Sequence, residues 1–202
     1  MSANRLGFWS ATTLVGIGLG YILALATGFA RHGFQEPIAD PVLAIMEVLT
    51  LLSAPAIVIL MAAIHDRAAL GRKIYGVAAL AFGTLCAGTT SAVHFIELTA
   101  ARQLDGGGIV WPSRLYAAEL LAWDVFLGLA LVFAARVFDG AGPERRVRRA
   151  LSICGALCLV GTIGPAVGNM RLQLVGVVGY AGVLPVVPFL LARLFWRRDT
   201  GG

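Results

Sequence analysis

Six apolar runs, separated by short polar or turn-forming stretches, divide the chain at about 8–30, 41–64, 74–99, 115–137, 149–169 and 172–195. A helix that crosses a membrane needs roughly 20 mainly apolar residues, and each run has that length or nearly so. The connections are too short to hold a soluble domain. The pattern therefore predicts an all-α fold, a polytopic membrane helical bundle in which six transmembrane helices make up a single domain, 1–202. Arg5 and the small residues Ala24 and Ala26 mimic a secretory signal. The run from Phe8 to Ala30 exceeds the roughly 7–15-residue core of such a signal, so it counts as the first span.

Composition agrees. Hydrophobic residues make up 58% of the 202 residues and charged ones 13%, with a mean hydropathy of +0.83, too little charge to cover a soluble surface. The net charge of +5 changes the picture only through its placement. Arg5, Arg67, Arg72, Lys73, Arg136, Arg145, Arg146, Arg148, Arg149, Arg193, Arg197 and Arg198 fall on one side of the predicted bundle. Arg31, Arg102, Arg114 and Arg171 fall on the other. The positive-inside rule then predicts both termini in the cytoplasm. The run ERRVRR at 144–149 becomes an anchor against anionic membrane lipid, and no nucleic-acid partner is expected. Arginine dominance over a single lysine suggests a GC-rich bacterial genome, hence a multi-pass protein of a bacterial inner (plasma) membrane.

Several features fit helix packing better than chemistry. Gly16 and Gly20, and Gly164 and Gly168, are small-xxx-small pairs that suit close helix approach. Pro55, Pro165, Pro185 and Pro188 predict kinks. The loop 103–114 reads as a connector with Trp111 at the interface. Cys86, Cys154 and Cys158 offer no disulfide or zinc spacing. Tyr21 and Tyr180 read as packing groups with satisfied hydroxyls.

The candidate chemistry lies in ionisable residues inside the spans. At 1.5 Å per residue, Glu47 lies roughly 9 Å, Glu119 roughly 7 Å and Asp124 roughly 15 Å from the non-cytoplasmic surface. His94 and Glu97 share a helix face, extended by Thr90 and Ser91. Glu119 and Asp124 are five residues apart and do not point the same way. A charge at a span centre costs roughly 2.5–3.5 kcal/mol on insertion scales. The carboxylates therefore need partners among Arg102, Arg114, Arg171 and His94, or must stay protonated. The expected site is a polar pocket on the non-cytoplasmic side, with Asp124, Glu119, His94, Glu47 and Glu97 catalytic. Trp123, Thr90, Ser91 and Arg114 are expected to contact substrate.

This pattern suits proton transfer to a lipidic substrate, isoprenoid- or sterol-like, that enters sideways from the bilayer. A proton- or cation-coupled small-molecule transporter is the runner-up, and a non-catalytic membrane partner or sensor is the third reading. No metal and no cofactor is expected. The cluster has one imidazole, His65 and His32 lie elsewhere, and Lys73 sits at a span boundary where it offers no mid-bundle Schiff base.

Overall fold

The computed structural model describes residues 2–33, 38–104 and 111–199, with His32, Arg198 and Asp199 described by backbone alone. Part of the 103–114 loop therefore lies outside the described residues, as do the side chains of His32 and Arg198. The described residues form helices and no strand. Six helices are long and apolar enough to cross a membrane: Ala3–Arg31, Val42–Arg67, Leu70–Gln103, Arg114–Ala135, Pro143–Ala166 and Met170–Arg197. They are called the first to sixth helices below.

The helices pack in chain order, each on its neighbour, and the first closes the ring against Val186–Asp199 of the sixth. Both termini lie at one end of the bundle. There Phe8 packs on Trp196, with ring centroids 5.1 Å apart, and an alanine Cβ at Gly7 would fall 2.7 Å from the Phe195 ring. This terminal end also holds Arg67, whose guanidinium meets Glu144 at 2.7 Å and lies near the Phe138 and Phe195 rings. Arg72 donates to the Arg136 carbonyl at 2.8 Å, and Lys73 reaches the last carbonyls of the second helix. At the opposite, loop end, Arg102 pairs with Asp40 at 2.9 Å.

The main core fills the terminal half. Ile64, Leu127, Leu131, Phe138, Leu151, Leu191 and Phe195 are all almost wholly buried there. Aliphatic and aromatic side chains make up this part of the core among the described residues.

Three sequence expectations change. The fifth helix begins at Pro143, not near 149, so ERRVRR forms its first turns. Pro143 suits the first helical turn, where its missing N–H has no partner to lose, and Gly142 before it has φ +58°, a conformation that favours glycine. The Gly16/Gly20 pair is not a close helix contact: nothing lies within 4 Å of a Cβ built at Gly16. Gly168 has φ +71° and serves a turn. The closest backbone approach joins the fifth and sixth helices instead, where a Cβ at Gly161 would fall 2.6 Å from the Gly176 Cα, and one at Gly164 would fall 2.4 Å from the Gln173 nitrogen.

Two helices depart from α geometry. Leu121–Leu127 in the fourth and Val178–Val183 in the sixth are π-helical. Such wide turns are rare and are frequent at functional sites. The fifth helix breaks at Thr162, three residues before Pro165, and its last turn, Ile163–Ala166, is separate.

Candidate functional site

The second, third and fourth helices bring Glu47, His94 and Glu119 together. His94 is buried, and its two ring nitrogens face two carboxylates. Nδ1 is in close contact with Glu47 Oε2, and Nε2 lies 2.7 Å from Glu119 Oε1. A neutral imidazole has one N–H and one lone pair. The chain of contacts is complete when both nitrogens carry protons, or when one carboxyl group carries a proton and donates it to the ring. In either state hydrogen bonds run in a line from Glu119 through His94 to Glu47.

Local spacing explains the supporting contacts. Thr90 lies four residues before His94, on the same face, and its hydroxyl donates to Glu119 at 3.1 Å. Trp123 lies four residues after Glu119, and its indole N–H donates to Glu119 Oε1 at 2.5 Å. Thr90 is fully buried. Glu119 is the accessible end of the line, since 17% of its side chain is exposed against 6% for Glu47. Tyr21 of the first helix and Tyr116 of the fourth, both half-buried, are electrostatic neighbours of Glu119.

The remaining sequence candidates are placed differently. Glu97 is buried one turn beyond His94, nearer the loop end, and one of its oxygens has no hydrogen-bond partner. Its charged neighbours are Glu47, Arg102, His94 and Asp40, but the ion pair of Arg102 goes to Asp40. Ser91 is half-buried, and no hydrogen bond joins it to the cluster. Arg114 is exposed and, among the described residues, pairs with none of the carboxylates. Of the proposed partners, His94 alone among the described residues holds these acids, and it holds two of them.

Asp124 is not in this network, so the single expected pocket becomes two places. It is fully buried and lies against Gly161 and Gly176; a Cβ at Gly176 would fall 2.5 Å from its Oδ1. It lies within the π-helical turn, on the side of the fourth helix that faces the fifth and sixth. Gln173 stands nearest, yet no donor reaches either carboxylate oxygen in hydrogen-bonding geometry.

Gln173 is a functional candidate that the sequence reading passed over, and Tyr180, read there as a packing group with a satisfied hydroxyl, is its partner. Gln173 donates to the Tyr180 hydroxyl at 2.8 Å, and the Tyr180 ring packs on Trp123 with centroids 5.9 Å apart. The signal was available. A buried Gln seven residues before a Tyr lies two helical turns away on the same face.

Among the described residues, no group of three or more His, Cys, Asp and Glu side chains is arranged to hold a metal ion. A cavity of about 570 Å³ at the terminal end is lined by Arg67, Phe138, Glu144 and Arg197, away from the His94 cluster. Compared with known protein families, curated proteins and solved structures, the chain matches none.

Proposed function

We propose that the protein is an intramembrane acid–base enzyme of a bacterial plasma membrane, with Glu119, His94 and Glu47 moving protons to and from a lipidic, isoprenoid- or sterol-like substrate. One observation carries this reading: an imidazole held at both nitrogens by carboxylates, with one end of the line accessible and the other buried. Glu119 is the group that meets substrate. His94 passes the proton, and Glu47 stores it where water does not compete. Shared protons let the line accept or donate one without leaving a buried net charge change on a single atom.

Trp123 and Thr90 position Glu119 by donating to its carboxylate. The aromatic rings of Tyr21, Tyr116 and Trp123 suit an apolar, unsaturated substrate. The apolar core of the terminal half supports a one-sided site over alternating access, which places the transporter reading second. The basic residues gathered at the terminal end support a cytoplasmic location for that end.

The test is a comparison of extractable lipids from cells producing the wild type or Glu119→Gln. At least one polyprenyl or sterol-like lipid is expected to gain an isomer with the wild type and not with the variant. Identical lipid profiles, with both proteins present in the membrane at equal amounts, would count against the enzyme.

A further inference from the structure

Asp124 poses a separate problem from the His94 line. It is fully buried, neither oxygen has a donor in good hydrogen-bonding geometry, Gln173 is the polar side chain that interacts with it, and no basic side chain stands among its electrostatic neighbours. An uncompensated carboxylate in such surroundings is strongly unfavourable. A structure built around it needs a proton or a cation to balance the charge.

The surroundings are those of an oxygen-lined ion site. The fifth helix breaks beside Asp124 at Thr162. Pro165 has no N–H, so it cannot donate to the Gly161 carbonyl four residues earlier. A Cβ built at Gly161 would lie 3.4 Å from Asp124 Oδ1, which places this residue beside the carboxylate. Thr162 Oγ1 is a further buried oxygen without a partner. Asp124 lies in the π-helical turn of the fourth helix, the π-helical turn of the sixth begins two residues after Gly176, and Gly176 leaves room for the carboxylate to approach. Broken membrane helices present freed carbonyls to cations in this way. Oxygen donors with a single carboxylate suit a hard cation, not a soft transition metal.

We propose that Asp124 is the anionic ligand of a monovalent-cation site, sodium in the first instance, between the fourth, fifth and sixth helices. The Gly161 carbonyl and the Thr162 hydroxyl supply neutral oxygens. Bound sodium neutralises the buried carboxylate and ties the broken fifth helix to its two neighbours. The site is independent of the reading of Glu119 as a substrate-facing acid, and either stands without the other.

The experiment is thermal unfolding of the purified full chain in detergent while N-methylglucamine chloride is replaced stepwise by sodium chloride at constant ionic strength. The melting temperature of the wild type is expected to rise saturably, by about 5–10 °C at a saturating concentration. Asp124→Asn is expected to melt at a temperature indifferent to sodium. Thr162→Val keeps the carboxylate and is expected to raise the half-saturating sodium concentration roughly tenfold. A wild-type melting temperature indifferent to sodium overturns the proposal whatever the variants do. So does a rise of equal size in Asp124→Asn, because the ion would then bind elsewhere. An unchanged midpoint in Thr162→Val removes that hydroxyl from the donor set.

Discussion

At the residue scale, His94 is the side chain on which the cluster depends. Removing it leaves Glu47 and Glu119 facing each other without a donor between them. His94→Ala is therefore predicted to destabilise by about 3–5 kcal/mol, as for other broken buried ion pairs, which unfolding in detergent will register as a large fall in melting temperature. Thr90→Val keeps shape and loses one donor to Glu119, so a loss of about 1 kcal/mol is expected by the same measurement. A Thr90→Val loss as large as that of His94→Ala would show that the threonine, not the imidazole, holds the acids. The polar stripes of Thr90, His94 and Glu97 and of Glu47 and Thr50 were legible in the sequence from helical spacing. The pairing was not, because spacing fixes the face of one helix and says nothing of which acid on another helix meets it. Glu97 beside Arg102 looked like a pair, yet Arg102 reaches Asp40 in the loop-end connection.

At the scale of elements, the six long apolar helices were legible because a continuous apolar run of membrane length has few alternatives. The boundary of the fifth helix was misplaced because a dense arginine run reads as a loop, whereas Pro143 and the positive φ of Gly142 start a helix before it. That Glu119 and Asp124 face different ways was legible from their spacing, whereas the π-helical turn LAWDVFL carries no signature in its residue types. The glycines give opposite predictions according to their surroundings. Gly176→Ala places a methyl group 2.5 Å from Asp124 Oδ1 and is expected to cost about 1–3 kcal/mol through overpacking. Gly16→Ala meets nothing within 4 Å and is expected to stabilise by about 0.5–1 kcal/mol, because glycine is a poor residue in a helix interior. Melting temperatures of the two variants should therefore move in opposite directions. Equal shifts would contradict the close approach of the fifth and sixth helices.

For the whole molecule, the apolar and basic ends divide the work. The terminal half is a filled core with arginines at its rim, and the other half holds Glu47, His94, Glu97 and Glu119. If the basic end faces the cytoplasm, a reporter protein fused after Gly202 folds and fluoresces there, whereas a periplasmic reporter at the same point stays inactive. The reverse result would invert the bundle and open the His94 cluster to the cytoplasmic leaflet. The central claim is that Glu119, His94 and Glu47 exchange protons with an apolar molecule, and deuterium reports this directly. The purified protein is incubated in D2O with polyprenyl and sterol-like olefins, and each lipid is then weighed by mass spectrometry. At least one lipid is expected to gain deuterium with the wild type and with Gly16→Ala, and not with Glu119→Gln. No gain in any lipid, or an undiminished gain with Glu119→Gln, would contradict the account.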